Sequence, residues 1–381
     1  MDYPYIILYI ILLLLLVYKY IKTKKQEYAS TSLLIAFVFI AFRAPVVGAD
    51  TWDYIRFLTG ERNFYNADER EMEILSKGYR EIICSITSSR TLVMLINSII
   101  TLSPIYFLFK KYSHNIPLSV VTFFLFEIYI VYFVALRQMI GNAVLLFGFM
   151  YYLDEQHKRR WKWLVLLGCS YIGYLFHTSI VIYGFIFVVS IFLPIYNRKT
   201  YLLAIVFSML IGIVLKSFSV TDFFAMYLNM GIGATDRIDN YLESYQEGDS
   251  ELIMLATRLS IIGLFCFSYL NEKYLKHPFS RILLIAIIIY NLFYTVPMIH
   301  RLVMPLALFA CILITQSNIT VADSVKRRRT YICLLILLLL YFFRSQFIQC
   351  AEWDPYNSGR LHPYYWFFEN YSNHPSIKYF N

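Results

Sequence analysis

The sequence predicts an all-α, polytopic integral membrane protein with about 12 transmembrane helices and long extracytoplasmic loops. Three observations support this fold class. Hydrophobic residues make up 59% of the 381 residues, charged residues only 15%, and the mean hydropathy is +0.56, which is too apolar for a soluble domain of this size. Apolar stretches that could cross a hydrocarbon core of ~30 Å recur along the chain. Their connections alternate between strongly basic segments and segments with little net positive charge.

The apolar stretches place the spanning helices in chain order. The first, YPYIILYIILLLLLVYKY, lacks the basic n-region and small-residue cleavage site of a signal peptide, so we expect it to be retained. Glycine and proline interrupt several later stretches, which membrane helices tolerate when neighbouring groups satisfy the backbone. The twelve predicted spans are roughly 4–21, 28–45, 91–109, 117–135, 136–153, 161–176, 178–195, 201–217, 253–270, 279–297, 301–317 and 330–346.

The charge of the connections sets the predicted orientation. The segments KYIKTKKQE, KKYSH, DEQHKRRWK, YNRK, NEKYLKHPFSR and DSVKRRR together hold 19 Lys/Arg against 5 Asp/Glu. The positive-inside rule places them in the cytoplasm and both termini outside it. Since the basic residues concentrate in these short loops, the net charge of +9 indicates topology and contact with membrane lipids, and no nucleic-acid partner is expected.

Three long segments remain outside in what we predict to be a single transmembrane domain, 1–381. They are loop 44–90, loop 218–252 and the C-terminal tail 347–381. Loops of this length are usually lids, binding elements or disordered segments. The tail contains AEWDPYNSGRLHPYYWFFENYSNHPSIKYF, which is too aromatic to stay solvated, so we expect it to fold back onto the helices or lie in the membrane interface.

Polar residues at the predicted outer ends of the helices form a candidate anion site. Arginine at the rim of the hydrocarbon layer costs roughly a few kcal/mol unless it has an anionic ligand or a carboxylate partner. Its planar guanidinium suits diphosphates because it forms bidentate hydrogen bonds. The first outer loop, which begins FRAPVVGADTWDY, adds carboxylates and a phenol. The candidates are Arg43, Asp50, Asp53, Tyr54, Arg137, Gln138, His177 and Arg301, with His300 beside the last.

Structural roles for these residues stay open alternatives. Outward arginines also extend to lipid phosphates or pair with a loop carboxylate. Asp50 and Asp53 are suited to cap a loop helix, and His177 to pack at a helix junction. The nucleotide-binding and metal signatures GxxxxGK[ST], GxGxxG, HExxH, CxxC and DxD do not occur, so we expect no metal and no cofactor. Cys84 and Cys350 both map outside, where a disulfide is chemically permitted.

Several short motifs follow one another in a recognisable order. They are FRxxxVGADTxxYxxF after the second helix, an outer LRQxI, HTS after an apolar helix, and a tail with DPY and HPYY. In these motifs and in its layout the chain resembles the EpsG family. Members of that family are multi-spanning proteins of bacterial exopolysaccharide and capsule clusters and are regarded as Wzy-type polymerases, the class that also makes O-antigen.

The resemblance implies a metal-independent glycosyltransferase of the bacterial inner membrane with a periplasmic active face. It would join oligosaccharide repeat units carried on undecaprenyl diphosphate, with a flippase and a chain-length regulator as possible partners. The arginines and Gln138 would bind the diphosphate, and Tyr54 and Asp53 would contact substrate. His177 would be the base, because an imidazole suits proton transfer near neutrality, and Asp50 would orient the acceptor or replace His177 as base.

Two alternatives come from other uses of a similar architecture. A different lipid-linked glycosyltransferase, or an O-antigen ligase, would perform the same chemistry with another acceptor pocket. A lipid-linked oligosaccharide transporter would place charged residues near the bilayer midplane, where Glu127 is the candidate.

The orientation predicts a labelling pattern. In a variant without the six native cysteines, single cysteines placed within 60–75 or within the tail should react with an impermeant thiol reagent on intact spheroplasts. A cysteine placed within 326–329 should react only after the membrane is permeabilised. The opposite pattern would refute the orientation and the outer site together.

Overall fold

The structure, a computed structural model, describes residues 3–48, 51–61, 73–195, 197–216, 249–294, 299–316, 336, 339–340 and 366–369. It divides into two compact units, 1–185 with 325–381, and 186–324. Regular structure in the described ranges is helical, which confirms the all-α class. The helices are α1 Tyr3–Thr23, α2 Gln26–Ala41, α3 Thr51–Leu58, α4 Ile74–Ile86, α5 Arg90–Tyr112, α6 Ile116–Leu125, α7 Ile128–Val134, α8 Leu136–Leu153, α9 Arg159–Phe176, α10 Ile180–Phe192, α11 Arg198–Lys216, α12 Asp249–Tyr269, α13 Glu272–Leu275, α14 Pro278–Phe293 and α15 Ile299–Thr315.

Several of these helices are compatible with a membrane. By length and composition, α5 and residues Arg198–Leu215 of α11 are able to cross one, and α6 with α7 would add a third, bent span. Shorter apolar helices occur at Gln26–Ala41, Ile180–Phe192, Leu259–Tyr269, Pro278–Phe293 and Arg301–Thr315. Most predicted spans coincide with a helix, whereas 330–346 lies largely outside the described residues, so the number twelve stays a prediction.

Helices α8 and α9 form a tightly packed antiparallel hairpin. A Cβ added at Gly141 would lie 2.7 Å from the Gly173 carbonyl oxygen, and one added at Gly173 would lie 2.8 Å from the Gly141 carbonyl oxygen. About two turns further along α8, a Cβ at Gly148 would lie 2.6 Å from Cys169 Cβ. Small residues therefore let the two backbones touch, as is typical of helix pairs in membranes. The start of α8 and the end of α9 lie at the same end of this hairpin.

The segment between α2 and α3 packs onto Phe133 in α7. The Arg43 guanidinium lies 3.8 Å from the centre of the Phe133 ring, and the Thr51 hydroxyl donates a 2.6 Å hydrogen bond to the Phe133 carbonyl. Gly48 has φ +105°, and a Cβ there would lie 3.0 Å from Phe133 Cβ. The close approach and the positive φ both require glycine. This explains physically why the motif FRxxxVGADTxxYxxF has glycine at position 48.

A helix break at Glu127 separates α6 from α7. The two helices are bent by 67° relative to each other, although the sequence predicts one span over 117–135. Glu127 has φ 58° and is only 8% exposed. A left-handed residue other than glycine costs roughly 1–3 kcal/mol, so the surrounding packing must hold this bend in place.

The predicted outer loop 44–90 contains two helices, and part of the tail packs beside it. α3 packs against α4, whereas Ile74, Ile82 and Ile86 of α4 are 73%, 58% and 61% exposed. In the tail, the Phe367 N–H donates a 3.0 Å hydrogen bond to the Phe42 carbonyl, and Trp366 pairs with Arg43 in an isolated antiparallel bridge. The described part of the tail thus folds back onto the end of α2. Loop 218–252 up to 248, most of the tail and Cys350 lie outside the described residues.

The second unit is held together by polar contacts between apolar helices. Asn291 of α14 donates to Ser208 of α11 and accepts from Ser260 of α12, each bond at 2.8 Å. Arg281 donates to the carbonyls of Ser190 and Ile191, near the end of α10, at 2.6 and 3.0 Å. Interhelical hydrogen bonds of this kind stabilise membrane bundles by roughly 1 kcal/mol each.

Gly48 offers a direct test of the packing onto Phe133. Gly48→Ala should destabilise the protein by about 1–3 kcal/mol, because the new Cβ meets Thr51 Oγ1 at 2.6 Å and the backbone stays at a positive φ. The measurement is the melting temperature in detergent. Gly168→Ala in α9 is the matched control, since its Cβ would meet open space and alanine favours a helix. Equal melting temperatures for both variants would contradict this account.

Candidate active site

The candidate site lies where α8 begins and α9 ends. Arg137 is in the first turn of α8, and His177 caps the C-terminus of α9 with its N–H on the Gly173 carbonyl at 3.0 Å. The hairpin packing therefore brings together two motifs, RQ and HTS, that are separated by about 40 residues in sequence. This is the clustering that the sequence predicts for Arg137 and His177.

Arg137 binds a carboxylate that the sequence analysis did not single out. Its Nη1 lies 2.8 Å from Glu73 Oε2 in an ion pair, and its Nη2 donates to the Tyr54 hydroxyl at 3.5 Å. The guanidinium also lies 5.6 Å from the centre of the Tyr54 ring. The Arg137 side chain remains 24% exposed, so an anion can approach it from outside.

Glu73 joins the arginine to the HTS turn, residues 177–179. Its Oε1 accepts a hydrogen bond from the Thr178 N–H at 3.3 Å while its Oε2 binds Arg137. Nearby, the Ser76 hydroxyl donates to the Phe176 carbonyl at 2.8 Å. One sequence rule could have pointed to this pair, because an arginine near lipid needs a carboxylate partner. The run ADEREME contains four carboxylates, however, and the sequence does not indicate which of them binds Arg137.

The imidazole of His177 has a defined hydrogen-bonding arrangement. The Ser179 backbone N–H donates to Nδ1 at 3.3 Å, and the Ser179 hydroxyl lies 2.8 Å from the same nitrogen. Both contacts involve the same ring nitrogen, so Ser179 fixes the orientation of the imidazole at the HTS turn.

A small cavity lies beneath Arg137. It is lined mainly by Tyr54, Ser76, Tyr79, Asn97, Arg137 and Phe176. Its volume of about 10 Å³ is enough for one water molecule and not for a sugar ring. Tyr79 donates to Asn97 at 3.0 Å, and burial raises the pKa of the Tyr79 phenol above its usual value. A glycan bound at this site would therefore lie outside this cavity.

Two predicted substrate contacts are instead buried among helices. Arg43 is 1% exposed and donates to the carbonyls of Ile40 and Val47 at 2.5 and 3.2 Å. Gln138 is 6% exposed and donates to the Tyr183 hydroxyl at 2.5 Å. These contacts tie α2 to its following loop and α8 to α10. They favour the structural alternative for both residues, while their roles as substrate ligands stay predictions.

The remaining candidates are Asp50, Asp53, His300 and Arg301. Asp53 is half-buried in the first turn of α3, where a carboxylate suits the helix dipole. Asp50 lies outside the described residues. His300 and Arg301 lie in the first turn of α15, in the second unit. Their predicted roles are not tested by these contacts.

A second ion pair lies in the same outer loop. Arg90 forms a bidentate pair with Glu61, with Nε 2.7 Å from Oε1, and stacks 4.6 Å from the centre of the Trp52 ring. The hydrogen bond and charge of Arg90 lower the pKa of Glu61 below its usual value. Among the described residues no group of three His, Cys, Asp or Glu side chains is placed to hold a metal ion.

Comparison with known proteins identifies the family. The model of the EpsG family matches residues 27–358, which is most of the chain. The chain belongs to the EpsG family. No curated protein and no solved structure matches it. Membership, together with the apolar helices, supports a membrane protein of polysaccharide biosynthesis in a family of polymerase-like enzymes.

The different surroundings of Arg43 and Arg137 predict different effects on stability. Arg43→Lys should destabilise this EpsG-family protein by roughly 1–3 kcal/mol, because lysine lacks the fork that reaches both carbonyls and the Phe133 ring. Arg137→Lys should change stability by less than about 1 kcal/mol, since its ion pair is partly exposed. Melting temperatures in detergent would distinguish the two, and an equal loss would refute the structural role of Arg43.

Proposed function

We propose that this EpsG-family protein is a polysaccharide polymerase. In this proposal it joins oligosaccharide repeat units carried on undecaprenyl diphosphate, at the outer face of the bacterial inner membrane, in capsule, exopolysaccharide or O-antigen synthesis. The observation that carries the proposal is the partly exposed Arg137, set beside the HTS turn in a family of exopolysaccharide polymerases. A flippase that delivers the units and a regulator of chain length are the expected partners.

The chemistry requires an anion site and a proton acceptor. The acceptor hydroxyl attacks the anomeric carbon of the donor glycan, the bond to the diphosphate oxygen breaks, and its electron pair leaves with the lipid diphosphate. Arg137 would stabilise this charge, as preorganised cations do at other leaving groups. The role of His177 as the proton acceptor stays a prediction from the sequence, and Ser179 orients its ring. Asp50 stays the predicted group that orients the acceptor.

The helix break gives specific support to the transport alternative. Discontinuous helices with a buried acidic residue occur in many carriers, and Glu127 at the α6–α7 break has this form. The polymerase remains our proposal because the family match is to polymerase-like enzymes. The experiment below separates the two activities.

Polymer formation by the purified protein tests the proposal. Lipid-linked repeat units extracted from a deletion strain should be converted to polymer in proteoliposomes, with release of undecaprenyl diphosphate. Arg137→Ala should bind undecaprenyl diphosphate at least tenfold more weakly, as expected for loss of a charge-assisted bidentate contact. Passage of intact units across the bilayer without joining would identify a transporter instead, and transfer to a different acceptor would identify a ligase.

A further inference from the structure

We infer that Glu73 is the base of the glycosyl transfer. Arg137 holds the Glu73 carboxylate in place until the donor diphosphate binds and replaces this carboxylate as the partner of the guanidinium. This inference rests on the proposed function and deepens it. It assigns a catalytic role to a residue of the outer loop that the motifs alone do not single out.

The first support is the pair of contacts that Glu73 makes. One carboxylate oxygen binds Arg137 at 2.8 Å, and the other binds the Thr178 N–H at 3.3 Å. The Glu73 side chain is 15% exposed, so the carboxylate lies at the surface of the site and not in a dry interior. Glu73 therefore lies between Arg137, which is predicted to bind the diphosphate, and the HTS turn.

The second support is the position of Glu73 at the start of α4. Glu73 is the N-cap residue, but its side chain makes no capping hydrogen bond and extends to Arg137 instead. The exposed isoleucines of α4, Ile74, Ile82 and Ile86, form an apolar surface suited to the outer leaflet. A donor whose lipid lies in that leaflet would bring its diphosphate to the same level as Glu73.

Competition for Arg137 links donor binding to the base. A diphosphate carries more negative charge than one carboxylate and offers several oxygens to the planar fork, so it is the stronger partner for the guanidinium. Once displaced, the Glu73 carboxylate has an oxygen available for the acceptor hydroxyl. The hydroxyl oxygen then bonds to the anomeric carbon, its proton moves to Glu73, and the lipid diphosphate leaves with the electron pair.

The neighbouring groups are less suited to accept this proton. Arg137 and the other guanidinium groups stay protonated at any relevant pH. The His177 Nδ1 already contacts the Ser179 N–H and hydroxyl, at 3.3 and 2.8 Å. Tyr54 receives a hydrogen bond from Arg137, and its phenol is a poor base when neutral. Glu73 is a carboxylate in direct contact with Arg137, which places it next to the predicted diphosphate position.

Glu73→Gln provides the direct test, because glutamine keeps the size and can still accept hydrogen bonds. In proteoliposomes with extracted lipid-linked units, its rate of polymer formation should fall by about 10²–10⁴-fold. Its affinity for undecaprenyl diphosphate should stay the same or increase, since the competing carboxylate is gone. Glu61→Gln is the matched control, because it removes another carboxylate–arginine pair from the same loop and should leave polymer formation within about twofold of wild type.

Chemical rescue separates a base from a positioning residue. Added formate should restore a measurable part of the activity of Glu73→Ala, as a small carboxylate occupies the vacated space, and should not affect His177→Ala. If Glu73 only orients Arg137, Glu73→Gln would weaken undecaprenyl diphosphate binding and formate would have no effect. Wild-type-like turnover by Glu73→Gln would refute the inference alone, whereas inactive wild-type protein would refute the proposed function.

Discussion

The packing of Arg43, Gly48 and Thr51 onto Phe133 positions the elements around the candidate site. The Arg43 guanidinium stacks on the Phe133 ring, and the Thr51 hydroxyl donates a hydrogen bond to the Phe133 carbonyl. Gly48 packs against Phe133 Cβ. These contacts fix the start of α3, which carries Tyr54, relative to the end of α7. Arg137 follows Phe133 by four residues, so the same contacts set where α8 begins and where its first guanidinium lies.

The arginines illustrate how a guanidinium is accommodated near lipid in two different ways. Arg43 and Arg281 are 1% and 5% exposed, and the described hydrogen bonds of their side chains go to backbone carbonyls near helix ends and in the loop that follows α2. Such bonds connect elements and cannot be exchanged without loosening the fold. Arg137 instead pairs with a side-chain carboxylate at a partly open surface, and an ion pair of this kind can be replaced by another anion.

Sequence patterns predicted the helices well and the outer site only in part. Hydrophobic length and loop charge locate most described helices, because those properties are local. The break at Glu127 was missed since Glu127 is the one charged residue in the otherwise mostly apolar stretch 117–135. A loop helix at α3 was anticipated only as an alternative role for Asp50 and Asp53, and α4 was missed because loop 44–90 is too polar to span a membrane. The sequence places Arg137 and the HTS motif on the same face, but the partner of Arg137, Glu73, is defined by tertiary packing that no spacing rule encodes.

The α8–α9 hairpin and α4 differ in mechanical stiffness. Helices α8 and α9 approach each other closely at Gly141, Gly148 and Gly173, so they cannot slide past each other without clashes and the hairpin is rigid. α4 has much of its apolar surface exposed, and elements with fewer buried apolar contacts open more readily. The glycine contacts of the hairpin therefore set the spacing between the start of α8, which carries Arg137, and the end of α9, which His177 caps.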